Sequence, residues 1–406
     1  MEYQTYTLKN GIRAIHRQIP SKVAHCGIII NTGSRDENEK ERGMAHFFEH
    51  AIFKATKKRK AFHIVSRIED VGGELNAYTA KEETVVHATM LPRYINRAIE
   101  LIADITFHST FPEKELEKEK EVIIEEINSY KDSPAELIFD DFEELVFGDH
   151  PIGHNILGDE NNIMKFTKKD LRNFISKNYH TDEMVFCSVG DISFKKLVYY
   201  LEKYFGHVPE NYRKKQRIPF ENYRPAKKVI PKNTFQTHCI IGCESYTMHS
   251  DKRRIMNLLA NLLGGPAMNC RLNMTLREKH GLVYNIETFY TPYVDTGIFG
   301  IYFGTYNGRL EKSLSKIKKE LQKLKEQPLG EIQLKKAKRQ MIGQMAIASE
   351  NYSNLMQYAG KKFLHFNYVE SIDEISRDIE AFSAHQIQEV AIEMFDFNNL
   401  SVLVFE

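Results

Sequence analysis

The sequence has no long apolar run and almost no net charge. None of its apolar stretches approaches the ~18 residues that a membrane-spanning helix needs, so no membrane span is expected. The first residues carry neither a basic segment nor an apolar one, which argues against a secretory signal and favours a cytoplasmic protein. The net charge is +1, so no overall attraction to nucleic acid or to an acidic membrane is expected.

Basic residues do cluster locally, in residues 57–60 and 213–217. Both runs are short and lie in stretches that are typical of loops. We therefore expect both runs to be solvated surface rather than binding patches.

Cysteine is also scarce. There are five cysteines, an odd number, and four of them lie in runs that predict strands or strand edges. Cys239 and Cys243 have the wrong spacing for a zinc knuckle, and alternation places them on one face of a strand. We therefore expect all five to be small buried thiols in a reducing compartment.

A chain of 406 residues is long enough for two domains of ordinary size. Four of its 12 prolines fall in a polar stretch over residues 208–232, which is typical of a linker. The sequence therefore predicts an N-terminal domain over residues 1–207, a linker, and a C-terminal domain over residues 233–406.

The two halves repeat one pattern of elements. Amphipathic helices are predicted to begin near Thr167 and Ser383, and a strand follows each at nearly the same spacing. Apolar runs beginning at His25 and His238 correspond in the same way. Alternating strands mixed with long helices predict an α+β fold with two tandem homologous domains, each a mixed, mainly antiparallel sheet covered by helices.

The string His46-Phe47-Phe48-Glu49-His50 carries the clearest chemical signal. On a helix, His46, Glu49 and His50 share one face. Two imidazoles at this spacing can hold one Zn²⁺, and the carboxylate between them can reach the attacking water. The order His-x-x-Glu-His is the inverzincin signature. The alternative is a pair of partly buried histidines on an amphipathic helix, and the string alone does not decide.

The corresponding helix of the second half lacks these side chains. When the halves are aligned, the three positions hold Leu258, Asn261 and Leu262. If the histidines served only for packing, there would be less reason for all three positions to differ between the two halves. The asymmetry therefore favours a metal site in the first half.

A hydrolytic zinc site needs a third protein ligand. The best candidates lie on a glutamate-rich helix predicted near residues 113–130. Glu119 and Glu126 fall on the apolar stripe of this helix together with Tyr130, whereas Glu125 is rotated about 100° away. An inward carboxylate is costly unless it is paired or binds a metal. The pattern predicts one ligand and one supporting acid without saying which is which, and a plain salt bridge is the alternative for Glu119.

Together these strings resemble the pitrilysin, insulinase and mitochondrial processing peptidase family of zinc metallopeptidases. In that family, His-x-x-Glu-His is followed by a ligand glutamate after roughly 70 to 80 residues. The resemblance implies that His46, His50 and Glu126 bind one Zn²⁺. It implies that Glu49 is the general base and that Glu119 supports the site.

Two further segments extend the resemblance. Residues 72–79 are similar to the family's substrate-binding edge strand, which implies that Asn76 and Ala77 pair with an extended peptide. A segment of the second half is similar to one that carries an Arg–Tyr pair seven residues apart, here Arg277 and Tyr284. The resemblance implies that this pair fixes the substrate carbonyl and stabilises the oxyanion.

The resemblance implies a zinc metalloendopeptidase that hydrolyses extended peptides or unfolded protein segments. It also implies a chamber closed by four such domains, so a two-domain chain would form a homodimer or pair with a related subunit. Arg277 and Tyr284 would then come from the partner chain. The alternative is a non-catalytic scaffold homologue, although such homologues usually lose ligand residues that this chain keeps. Small-molecule lyases with a His-x-x-Glu-His helix resemble only a single, much shorter domain.

Overall fold

The computed structural model describes residues 3–232 and 234–406 and divides into two compact units. The first unit comprises Met1–Ile127, Asn155–Arg217 and Ile347–Glu370, and the second comprises Asn128–His154, Ile218–Ala346 and Ser371–Glu406. These units differ from the contiguous halves, residues 1–207 and 233–406, that were predicted above. Residues 128–154 of the N-terminal half belong to the second unit, and residues 347–370 of the C-terminal half belong to the first unit.

The first unit is built on a six-stranded sheet. Its strands are β1 (Gln4–Thr7), β2 (Arg13–Gln18), β3 (Ala24–Ile30), β4 (Glu74–Thr79), β5 (Thr84–Met90) and β6 (Met184–Gly190). Their order is β1-β2-β6-β3-β5-β4, in which β2 and β6 run parallel and every other pair is antiparallel. β4 therefore lies at one edge of the sheet.

The second unit contains a five-stranded sheet of related design. Its strands are β7 (Lys227–Ile230), β8 (Thr237–Glu244), β9 (Val283–Pro292), β10 (Gly297–Thr305) and β11 (Ser401–Phe405). The order is β7-β11-β8-β10-β9, and only β7 and β11 are parallel. Apart from β1, both sheets share one strand order and one pattern of directions. The predicted α+β fold with two similar, mainly antiparallel sheets is confirmed.

Fourteen α-helices lie within the described residues. They are α1 (Met44–Ala51), α2 (Ala61–Glu69), α3 (Ile95–Phe107), α4 (Glu113–Lys131), α5 (Pro134–Phe147), α6 (Glu160–Ile163), α7 (Lys168–Asn178), α8 (Phe194–Phe205), α9 (Arg253–Gly264), α10 (Leu310–Glu326), α11 (Glu331–Ser349), α12 (Tyr352–Phe366), α13 (Ile372–Ala381) and α14 (Ala384–Met394). Thr167 and Ser383 cap α7 and α14 with reciprocal side-chain and backbone hydrogen bonds, so the predicted starts of both helices are confirmed. None of the described helices combines the length and apolar character that crossing a bilayer requires.

Two helices pack in the unit that is formed mainly by the other half of the chain. α12, from the C-terminal half, packs against β3 and β6 of the first unit. The contact is close at Gly360, where a Cβ atom would lie 2.5 Å from the Ile29 side chain and 2.9 Å from the sulfur of Cys187. α5, from the N-terminal half, packs against β8 and β11 of the second unit. Each sheet therefore has one helix contributed by the other half of the chain.

The proline-rich stretch is more ordered than a linker. Residues 208–217 belong to the first unit, and β7 pairs with β11 in the second.

The expectation that both basic runs are solvated is wrong for two arginines. The side chain of Arg217 is 11% exposed and forms an ion pair with Asp36 at 2.7 Å, and Arg59 pairs with Glu100 at 2.7 Å.

All five cysteines are buried and unpaired, as predicted. Burial raises the pKa of the Cys187 thiol to about 12, so this thiol stays protonated at neutral pH. The thiols therefore serve as small core side chains.

Candidate metal centre

The helix that carries the two histidines begins at a defined point. Gly43 precedes α1 with a φ of +92°, a left-handed conformation that favours glycine. The buried carboxylate of Glu37 accepts hydrogen bonds from the backbone N–H of Gly43 at 2.9 Å and of Ala45 at 2.7 Å. Glu37 thus satisfies two N–H groups at the start of α1. Burial raises the pKa of this carboxyl, while the same two hydrogen bonds oppose the rise.

Three side chains converge beside this helix. The Nε2 atoms of His46 and His50 lie 3.2 Å apart, and Oε2 of Glu126 on α4 lies 3.7 Å from the first and 3.6 Å from the second. Tetrahedral zinc with ligand bonds of about 2.0–2.2 Å places its ligand atoms roughly 3.3–3.6 Å apart. The three atoms therefore fit one Zn²⁺, and within the described residues they form the only such group of three potential ligands.

His46 is held in a form suited to metal binding. Burial, reinforced by the neighbouring His50, lowers the pKa of His46 to about 3, so its imidazole is neutral at physiological pH. A neutral imidazole keeps the lone pair that a metal needs. His46 is only 7% exposed, and its ring lies edge-on to that of His50 with centroids 4.5 Å apart.

Glu119 supports His50 from the side away from the other ligands. Its Oε1 lies 2.8 Å from Nδ1 of His50, and its Oε2 forms an ion pair with Lys54. Burial alone would raise the pKa of Glu119, but the hydrogen bonds from His50 and Lys54 lower it below its usual range. An ionised Glu119 favours the proton on Nδ1 of His50 and leaves Nε2 free to bind a metal.

Glu49 lies next to the ligands without belonging to them. Its Oε2 accepts a hydrogen bond of 2.9 Å from the hydroxyl of Thr79, the last residue of β4. Burial raises the pKa of Glu49, while Thr79 and His50 oppose the rise. A raised pKa brings a carboxylate closer to the range in which a general base both accepts and returns a proton.

Asn76 and Ala77 lie in the middle of the edge strand β4, opposite His87 and Val86 of β5. Asn76 is exposed and Ala77 is partly buried. No described strand pairs with the other side of β4. Because Thr79 ends the same strand, this free edge leads directly to Glu49.

Arg277 and Tyr284 both lie in the second unit. Arg277 is in a π-helical turn, Asn273–Lys279, where its guanidinium lies 3.8 Å from the carboxylate of Glu278. Tyr284, in β9, is 73% exposed. The phenol is therefore accessible, while the proposed roles of both residues stay predictions.

The second unit has no metal-binding residues at the equivalent helix. α9 holds Leu258 and Leu262 where α1 has its histidines, and Leu258 is 1% exposed. Leu262 packs against the same hydrophobic core. The positions of the candidate ligands in one copy of the fold are thus filled by apolar packing in the other.

Sequence reasoning missed three side chains of the site, Glu37, Lys54 and Thr79. Lys54 lies beyond the end of α1 at Ala51, so helical spacing offered no signal for it. Thr79 shares a strand with Asn76 and Ala77, but only the fold shows that its hydroxyl reaches Glu49. Glu37 precedes the helix in a loop, where periodicity carries no information.

Two protein-family models match successive parts of the chain. Residues 13–160 match the model described as "Insulinase (Peptidase family M16)", and residues 165–341 match "Peptidase M16 inactive domain". The first match contains all the residues of the candidate metal centre. The second contains Arg277 and Tyr284.

Two relatives extend over nearly the whole chain. One, from Bacillus subtilis, is named "Uncharacterized zinc protease YmxG" and is 32% identical over 391 residues, which cover 96% of this chain and 95% of the relative. The other is the mitochondrial-processing peptidase subunit beta of Saccharomyces cerevisiae, 29% identical over 98% of this chain and 92% of the relative.

Solved structures show the same fold. A protease from Helicobacter pylori superposes with a TM-score of 0.93 at 22% identity, covering 100% of this chain and 99% of the other. A Pseudomonas fluorescens structure titled as a peptidase M16 inactive domain gives a TM-score of 0.92 at 19% identity, with coverage of 100% and 98%. These structures show the fold, while the family matches and the 32% identity to the Bacillus subtilis relative show the family: the chain belongs to the insulinase family, peptidase family M16.

Proposed function

We propose that this chain is a zinc-dependent metalloendopeptidase that cleaves extended peptides or unfolded protein segments. The observation that carries the proposal is the convergence of His46, His50 and Glu126 at zinc-binding distances with Glu49 beside them. When bound, Zn²⁺ supplies a Lewis acid that polarises the scissile carbonyl and makes water acidic enough to attack near neutral pH.

Glu49 is the proposed general base. It shares the helix face with the histidines, and its carboxylate is fixed by Thr79. In this role it takes a proton from the attacking water and passes it to the nitrogen of the leaving amine. Glu119 is a positioning residue, because its contact with Nδ1 of His50 orients that ligand.

The substrate is proposed to bind along β4. An extended peptide can add to the free edge of a sheet through backbone hydrogen bonds, which depend on shape more than on sequence. The backbone at Asn76 and Ala77 is proposed to offer these hydrogen bonds through the groups that point away from β5, and the strand ends at Thr79 beside the base. This mode suits unfolded segments, since a folded substrate has its backbone groups already paired.

Arg277 and Tyr284 are proposed to act on the reacting carbonyl. A phenol can donate to the oxyanion of the tetrahedral state, and a guanidinium can fix the substrate carbonyl. We propose that the pair comes from a second chain, either another copy or a related subunit. The exposure of Tyr284 supports this proposal, since an outside partner can reach the phenol.

Glu49→Gln tests the proposal. The amide keeps the size of the side chain but cannot accept the proton, so we expect about one zinc per chain and a loss of peptide cleavage of at least roughly 100-fold. Glu125→Gln is the matched control, because Glu125 is an exposed glutamate on α4. Cleavage by Glu49→Gln at the wild-type rate would disprove the role of Glu49. A wild-type chain that neither binds zinc nor cleaves peptides would indicate a non-catalytic homologue.

A further inference from the structure

We propose that Thr79 is a positioning residue that orients Glu49 and connects this base to the strand along which the substrate binds. The inference rests on the proposed function, because that function makes Glu49 the base and β4 the docking strand. It adds a specific role for a hydroxyl outside the group of metal ligands.

The contact itself is well defined. The hydroxyl of Thr79 lies 2.9 Å from Oε2 of Glu49 and 3.4 Å from the backbone oxygen of Ala45. A carboxylate is the stronger acceptor, so the single hydroxyl proton is donated to Glu49. Oε2 is thereby fixed, which leaves Oε1 as the oxygen that would accept the proton of the attacking water in the proposed function.

The backbone that carries this hydroxyl is held on two sides. Thr79 pairs with the fully buried Thr84 of β5, whose hydroxyl donates to the backbone oxygen of Thr32 at 2.8 Å. The next residues, Ala80 and Lys81, accept backbone hydrogen bonds from Ser34 at 3.1 Å and Arg35 at 2.8 Å. The donor therefore lies on a rigid support rather than in a free loop.

That support also leads to the start of the metal-binding helix. Glu37, which accepts hydrogen bonds from the first N–H groups of α1, lies two residues after Arg35 in the segment paired with residues 80–81. The end of β4 is thus joined to α1 through Glu37 and through Thr79. A peptide that adds to β4 would therefore bind along the same strand whose end aligns Glu49.

Thr79→Val tests the inference, because valine keeps the shape and the β-branching but removes the hydroxyl. The full-length zinc-loaded chain would be assayed with an internally quenched extended peptide. We expect about one zinc per chain, a KM within about two-fold of wild type, and a kcat lower by roughly 10- to 100-fold, as for a lost hydrogen bond to a charged group. Thr79→Ser restores the hydroxyl and should recover most of kcat.

Thr89→Val is the matched control. It removes a hydroxyl from the neighbouring strand β5, where Thr89 contacts His25 rather than Glu49. We expect it to leave kcat at the wild-type value. A Thr79→Val chain with wild-type kcat would overturn the inference. Loss of zinc from that variant would also overturn it, since Thr79 would then act on the ligands rather than on the base.

Crystal structures separate this inference from the proposed function. In the Thr79→Ser chain, the carboxylate of Glu49 should keep its position, and in the Thr79→Val chain it should move by at least about 1 Å. If the wild-type chain cleaves no peptide, the proposed function fails. The two crystal structures still show in that case whether the Thr79 hydroxyl fixes the Glu49 carboxylate. An unmoved carboxylate in the valine variant would overturn the contact's role.

Discussion

Among single residues, the glutamates of α4 differ sharply in environment. Glu119 is 5% exposed, and Glu126 is partly buried and faces the two histidines. Glu125 between them is exposed, as the helical period predicts. Tyr130, expected on the inward stripe, is 36% exposed, and Ile127 is the last buried residue of α4.

Glu119→Ala should weaken zinc binding without removing a ligand. The substitution leaves Nδ1 of His50 without its acceptor and Lys54 without its ion pair. Loss of such a supporting contact typically lowers metal affinity by about 10- to 100-fold. Competition with a zinc chelator measures the change, and the exposed Glu125→Ala serves as control. Equal zinc affinity in both variants and wild type would show that Glu119 has no supporting role.

Residue spacing identified the candidate ligands that converge in the fold, but it did not identify the side chains that contact them. His46, Glu49 and His50 lie within one helical turn, and Glu126 follows from a second helix's period together with the family resemblance. Thr79 and Lys54 could not be assigned in this way. Their contacts depend on how β4 and the end of α1 are packed, which is tertiary information that no local period contains.

Among elements, α1 has an unusual start. Its first N–H groups are satisfied by Glu37, a buried acid from a loop several residues upstream, rather than by an adjacent Ser or Asp. The position of His46, in the first turn, therefore depends on that loop. Local capping rules do not predict such a contact, because they concern residues next to the helix.

Glu37→Ala should destabilise the start of α1. Two buried N–H groups lose their acceptor, and we expect the free energy of unfolding to fall by about 1–3 kcal/mol. Urea unfolding followed by circular dichroism measures the change. Glu39→Ala is the control, because the Glu39 side chain is 87% exposed. If both variants unfold at the same urea concentration, Glu37 does not stabilise the helix as argued.

In the whole molecule, the repeated fold was predictable and the exchange of helices was not. The repeat follows from similar strings at a nearly constant offset, and the two sheets share their strand order. α5 and α12 are ordinary amphipathic helices, and an apolar face does not specify which of two similar sheets it covers. The compact units are therefore discontinuous where contiguous halves were expected.

Splitting the chain tests this exchange. A fragment of residues 1–217 lacks α12, so the apolar side chains of Ile29 and Cys187 would lose their cover. We expect this fragment alone to aggregate or bind a hydrophobic dye, and to fold when co-expressed with residues 218–406. Gel filtration and dye fluorescence distinguish the two states. A cooperative, dye-free 1–217 fragment would contradict the structural need for α12.

Mixing two inactive chains tests whether the partner supplies Tyr284. We expect the purified Glu49→Gln and Tyr284→Phe chains to be impaired separately. After subunit exchange in equal amounts, about half of the dimers are mixed, and each has one site with both groups intact. The mixture should therefore recover about a quarter of wild-type activity. No recovery despite exchange, or a strictly monomeric active enzyme, would contradict action from a partner chain.

Zinc-dependent peptide cleavage is the central claim, and one measurement tests it most directly. The rate of cleavage of an internally quenched extended peptide is followed in the purified chain, after removal of metal by a chelator, and after stoichiometric zinc is returned. Because His46, His50 and Glu126 are placed to bind one ion, we expect cleavage to be lost with the metal and restored by about one Zn²⁺ per chain. Cleavage that is unaffected by complete removal of zinc, or absent from the fully zinc-loaded chain, would contradict the account.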